Sequence, residues 1–178
     1  MSLVSELLPR CGSQNIEVLA LRVEYVEPFI QAAFYVLQEV AGAKCERGPL
    51  SMRKGTTFTT NEITVVVGVT GQIQGMGLYG MSVATALKVA GAMMGQELVA
   101  LDEMALSAVS ELGNMVSGQA ATLLAEAGLQ CDITPPTVIR GVGIEISVHV
   151  PVLTVPVSTD KGNISIDIAV CRDKDSGR

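Results

Sequence analysis

The chain repeats itself at a fixed spacing. Ala41-Gly42, Cys45, Pro49 and Gly55 recur without gaps as Ala127-Gly128, Cys131, Pro135 and Gly141, an offset of 86 positions, and Glu46/Asp132, Ser51/Thr137 and Lys54/Arg140 are conservative pairs at the same offset. Two helix-to-strand transitions share some residue types for capping reasons alone, but the matched spacing favours an internal duplication. The repeats span about residues 25–81 and 102–171, which predicts one domain over 1–178 with a structured core from about 25 to 171. A chain of this length can bury a full core without staples. Two copies do not make a solenoid.

Local signals place elements within each copy. Glu27 to Val40 reads as a helix, with Pro28 in its first turn and Gly42 just past its end. Glu62–Gly68 and Ile73–Tyr79 are β-rich runs joined through Thr70, Gly71 and Gln72, an antiparallel hairpin. Ser82 reads as the N-cap of a helix from Val83 to Met94 that stops at Gly95, and a longer helix runs from near Asp102 to Gly128. Ile144–Val157 and Ile164–Val170 form a second hairpin, turned by Asp160, Lys161, Gly162 and Asn163. Residues 172–178 read as a frayed tail. Helix, strand and hairpin occurring twice give an α+β fold, mixed in content: a pseudo-twofold repeat in which one mixed or antiparallel sheet packs against helices.

Composition removes several classes of function. The chain is 48% hydrophobic with a mean hydropathy of +0.42, yet no apolar run reaches the roughly 18–20 residues of a membrane span. Met1 to Pro9 lacks the pattern of a secretory signal, so a cytoplasmic location is expected. A net charge of −6 and 3% aromatics argue against nucleic acid as a partner. Cys11, Cys45, Cys131 and Cys171 are scattered and His149 is the lone histidine, so no zinc cluster is expected and the cysteines read as buried free thiols. His149 reads as structural.

Two further patterns have ordinary explanations. Gly71, Gly75, Gly77 and Gly80 straddle a hairpin and lack a Gly-Lys-Ser/Thr ending, so they read as sheet-edge or close-packing glycines, not a phosphate loop. Met93, Met94, Met104 and Met115 read as core filling, with an interface as the lesser alternative.

The long helix carries the pattern with chemical content. At about 100° per residue, Ala105, Val109, Leu112, Val116, Ala120 and Leu123 gather on the side predicted to face the sheet. Ser107, Glu111, Asn114 and Gly118 fall at i, i+4, i+7 and i+11, a narrow stripe away from that side and predicted to face solvent. Gly113 and Gly118 each cost a helix interior about 1 kcal/mol relative to Ala, a penalty that calls for an offset. Ala121, Ala125, Ser110 and Ser117 around the stripe are too short to keep another macromolecule from Glu111 and Asn114.

Ser107-x-x-x-Glu111-x-x-Asn114 resembles the Asp/Ser-x-x-x-Glu-x-x-Asn signature of the CheC, CheX and FliY chemotaxis phosphatases, and the resemblance covers the chain from about Glu27 onward. Some members carry the motif in both halves. Here the 86-residue offset sets Tyr25 against Glu111 and Pro28 against Asn114, so the chain has one copy, as in the CheX branch. The resemblance implies hydrolysis of the aspartyl phosphate of a CheY-like response regulator. In that reading Asn114 orients the attacking water, Glu111 anchors the partner's lysine, and Ser107 and Gly118 belong to the docking surface. It implies no cofactor on this chain, Mg²⁺ held by the regulator, and a homodimer. The alternative it leaves open is a non-catalytic partner-binding or structural module of the flagellar-switch type.

Overall fold

The computed structural model describes residues 23–53 and 57–172. Its elements run α1 (Val23–Ala41), β1 (Cys45–Arg47), β2 (Ser51–Arg53), β3 (Thr57–Thr59), β4 (Ile63–Gly71), β5 (Ile73–Met81), α2 (Val83–Met94), α3 (Glu103–Glu126), β6 (Cys131–Ile133), β7 (Thr137–Arg140), β8 (Glu145–Ser147), β9 (Val152–Thr159) and β10 (Gly162–Arg172). The order helix, three short strands, long hairpin therefore occurs twice, and α2 is inserted between the two runs.

The two runs interlock. The main sheet has the strand order β1-β9-β10-β5-β4-β6, with β2 also on β9 and β7 also on β4. All its pairings are antiparallel. β1 and β2 of the first half thus complete the hairpin of the second, β6 and β7 of the second complete the hairpin of the first, and β3 and β8 pair with each other in a separate two-stranded sheet. The long strands β5 and β10 meet at the centre, from Ile164 opposite Met81 to Arg172 opposite Ile73. Even the interruptions correspond. Where β1 gives way to β2, Gly48 N donates to Pro156 O at 2.8 Å; where β6 gives way to β7, Thr134 N donates to Gly68 O at 2.9 Å. Gly48 and Thr134 are again 86 positions apart.

Alternation fixes which sheet face is covered. Ile63, Val65, Val67 and Val69 of β4, and Ile164, Ile166, Ile168 and Val170 of β10, join Phe29, Leu37, Val109 and Val116 from α1 and α3 in one core. Helix α1 packs along α3, and α2 packs against both. On the opposite sheet face Val148, Val152 and Ala169 form a smaller cluster with Met76 and Ile146. Asp167, buried on that face, accepts from Thr154 Oγ1 at 2.5 Å, Ser165 Oγ at 3.0 Å and Arg53 Nε at 3.2 Å, so its charge is compensated.

Ser82 caps α2, accepting from Thr85 N at 3.1 Å, and Gly95 closes it in the left-handed region at φ 66°, as the sequence predicts. Several expectations need correction. Helix α1 is already formed at Val23, so Pro28 lies inside it and not in the first turn; burying Tyr25 and Val26 extends the apolar face upstream and outweighs the bond that Pro28 cannot make. The run Ile144–Val157 is two strands in different sheets: β8 pairs with β3, β9 with β10, and Pro151 between them has no N–H for a ladder. His149 is exposed in the bend there. Cys171 is disulfide-bonded, so the expectation of four free thiols fails; Cys45 and Cys131 are free. Arg172 ends β10 and is no tail residue. Cys11, the repeat positions Lys54 and Gly55, and the tail from 173 onward lie outside the described residues.

Candidate active site

Helix α3 is defined at both ends by local chemistry. Asp102 accepts from Ala105 N at 2.9 Å, Glu103 sits in the first turn where the helix dipole favours an anion, and Gly128 follows the last turn at φ 84°. Its buried side comprises Ala105, Val109, Leu112, Gly113, Val116, Ser117, Ala120 and Leu124. The stripe shifts from Ala120 to Leu124, leaving Leu123 only partly buried, because i+4 follows a 3.6-residue turn as closely as i+3 does.

On the opposite side the predicted pair emerges. Ser107 and Glu111 are exposed, and Asn114 and Gly118 are half-buried. Asn114 Nδ2 donates to Glu111 Oε2 at 3.4 Å, so the amide and the carboxylate stand together at the surface. Tying up the amide nitrogen leaves the carbonyl oxygen of Asn114 free to accept a hydrogen bond, and the carboxylate retains further acceptor sites for a cation. Gly118 O accepts from Thr122 Oγ1 at 3.1 Å within the helix. A Cβ at Gly118 would meet only Ile133 Cδ1, at 3.8 Å, so packing within the chain does not demand a glycine there.

Gly113 is different. A Cβ there would lie 2.6 Å from Val65 Cγ1 and 3.2 Å from Tyr79 Cδ2, so the missing side chain lets α3 rest directly on β4 and β5. This close packing is the offset for its poor helix propensity. One turn on, Ser117 and Tyr79 share a buried hydrogen bond of 2.7 Å between hydroxyls. Ser117, expected beside the exposed stripe, is instead fully buried. The signal was available, since Gly113 and Ser117 are small residues at i and i+4 next to the apolar Leu112 and Val116.

Met104 also departs from expectation. It is 63% exposed, seven residues before Glu111 and on the same line as Ser107, while Met93 and Met115 pack against the core. In the first half, the position matching Glu111 is Tyr25, 2% exposed and part of the core. Among the described residues no three His, Cys, Asp or Glu side chains lie together in a group that could hold a metal ion. None of the described helices is long and apolar enough to cross a membrane.

Residues 63–158 match the family described as chemotaxis phosphatase CheX. The chain is 40% identical over 134 residues to the CheY-P phosphatase CheX of Thermotoga maritima, a span covering 75% of this chain and 86% of that one. It is similar to the crystal structure of the chemotaxis protein CheX from Desulfovibrio desulfuricans, with a TM-score of 0.75 and 30% identity over 84% of this chain and 99% of that chain. It also resembles a chain of the CheX-CheY-BeF3-Mg²⁺ complex from Borrelia burgdorferi, with a TM-score of 0.69 and 30% identity over 85% of this chain and all 100% of that one.

Proposed function

Because this chain belongs to the CheX family of chemotaxis phosphatases, we propose that it hydrolyses the aspartyl phosphate of a CheY-like response regulator, with Asn114 and Glu111 as its working residues. The observation that carries this reading is the half-buried amide and exposed carboxylate held 3.4 Å apart on the outward face of one helix. An acyl phosphate is reactive already, so the catalyst needs chiefly to place water in line with phosphorus. The carbonyl oxygen of Asn114 accepts a hydrogen bond from that water. Being neutral, the amide approaches the phosphoryl oxygens without the repulsion a carboxylate would meet.

The water oxygen bonds to phosphorus as the bond from phosphorus to the aspartate oxygen breaks. The products are inorganic phosphate, which takes up the water's protons with solvent, and the regulator's free carboxylate. Glu111 accepts the ammonium of a partner lysine and so fixes how far Asn114 enters the partner's site. A Mg²⁺ ion carried by the regulator supplies charge neutralisation at the phosphoryl group. Ser107 and Gly118, flanking the pair on the same face, leave room for the partner's backbone. Under this reading the protein works in the cytoplasm, where such regulators act, and as a homodimer.

The test uses a CheY-type regulator phosphorylated by acetyl phosphate in the presence of Mg²⁺. Asn114→Ala is expected to keep regulator binding and lose at least about 10²-fold in accelerated dephosphorylation, whereas Glu111→Ala weakens binding as well. An Asn114→Ala protein as fast as the parent would remove the assignment and leave a partner-binding module.

A further inference from the structure

Tyr79 lies between Val65 and Ile166 in the sheet and has small residues along the length of its own side chain. On its own strand, a Cβ at Gly77 would lie 2.9 Å from Tyr79 Oη; on the helix, a Cβ at Gly113 would lie 3.2 Å from Tyr79 Cδ2. The phenol then reaches Ser117 Oγ at 2.7 Å, and the whole side chain is 2% exposed. Two glycines thus make a slot for the ring, and a serine closes it.

The slot meets the helix on both sides of the proposed water-positioning residue. Gly113 immediately precedes Asn114, and Ser117 follows it by three positions. We infer that Tyr79 is a positioning residue: its ring against Gly113 and its hydroxyl on Ser117 fix the height and rotation of α3, and hence where the Asn114 amide stands. This rests on the proposed role of Asn114.

The magnitudes make such control effective. Side-chain tips lie about 5–6 Å from a helix axis, so a rotation of about 10° carries them about 1 Å. A misplacement of about 1 Å at a reacting centre can cost on the order of 10²-fold in rate. Glu111 is longer and ends in a charge, so it can follow a partner's ammonium through such a shift; Asn114, with two χ angles and a directional amide, cannot. Loosening the slot therefore acts on the chemical step more than on docking. Without the phenol, Ser117 turns to the carbonyl one turn back on its own helix, a bond open to a serine in mid-helix that slightly bends the rod.

The experiment measures dephosphorylation of the same acetyl-phosphate-loaded, Mg²⁺-bound regulator by the parent, Tyr79→Phe, Ser117→Ala, the double variant and Asn114→Ala, with thermal unfolding followed for each. Tyr79→Phe is expected to lower the maximal rate about 5- to 20-fold, with KM for the regulator within twofold and the protein fully folded at the assay temperature. Ser117→Ala should do the same, and it reads the same latch if the tyrosine variant fails to fold. The double variant, which removes the phenol hydroxyl that Ser117→Ala leaves unpaired, should recover the thermal stability lost in Ser117→Ala and not the rate; a purely structural role would restore both. Parent-like maximal rates in Tyr79→Phe and Ser117→Ala, beside an inactive Asn114→Ala, overturn the inference and leave the proposed function standing. A parent-like Asn114→Ala overturns both.

Discussion

Cys45 opens β1 and Cys131 opens β6, and each thiol is half-buried near an aspartate, Asp160 for the first and Asp132 for the second. Burial is the larger cause and the nearby carboxylate the smaller, and both push the thiols above their ordinary value of 9.0. Alkylation of either by iodoacetamide at pH 8 should be slower than that of glutathione and should keep accelerating beyond pH 9, because the thiolate is the nucleophile. Rates equal to the small thiol, measured by mass spectrometry of the labelled protein, would contradict this.

The two interior glycines of α3 should respond with opposite signs. Gly113→Ala drives a methyl into Val65 and Tyr79 and is expected to destabilise the protein by about 1–3 kcal/mol. Gly118→Ala meets only ordinary van der Waals contact with Ile133 and should gain up to about 1 kcal/mol from helix propensity. Urea midpoints at constant m-value measure both. If close approach of the regulator is what glycine serves at 118, the stabilised variant will bind it more weakly.

Tyr79 sets an alkaline limit on stability. Burial raises its folded value well above the ordinary 10.0, while the hydrogen bond to Ser117 pulls the other way to a lesser degree. The unfolded chain therefore ionises this phenol first, and the stability it contributes is complete below about pH 10 and falls as pH rises beyond it. The loss approaches about 1.4 kcal/mol per pH unit for one group. Comparing unfolding free energies of parent and Tyr79→Phe from pH 8 to 11 isolates this residue from other groups. Parallel curves would show that the phenol is not held neutral.

Met104 offers an apolar contact in line with Glu111, about 10 Å nearer the helix N-terminus at 1.5 Å per residue. Met104→Ala should leave stability within about 0.5 kcal/mol, since the side chain is largely outside the core. Regulator affinity, measured by titration calorimetry, should fall about 3- to 10-fold under the docking geometry proposed above. Unchanged affinity would exclude this end of α3 from the interface.

The helix bearing Glu111 and Asn114 was legible because its signals are local: Asp102 and Gly128 mark its ends, and periodicity alone separates the exposed pair from Val109 and Val116. The repeated order of elements was legible for the same reason, down to left-handed glycines at 42 and 128. What escaped was set by contacts distant in the chain. Ser117 looks polar and exposed until Tyr79, 38 positions earlier, supplies its partner. The Val- and Ile-rich run after Ile144 hides a change of sheet that only the pairing of β8 with β3 reveals, although Pro151 was a visible warning. Nothing around Cys171 in sequence distinguished it from the free Cys45 and Cys131.

Since β1 and β2 lie on β9 while β6 and β7 lie on β4, neither repeat owns a finished sheet. Cutting the chain between α2 and α3 would yield two fragments with bare strand edges, each sticky until it met the other. That mutual dependence gives the first half, with Tyr25 and Pro28 at the positions that match Glu111 and Asn114, a part in the fold: its strands frame the sheet on which α3 is mounted.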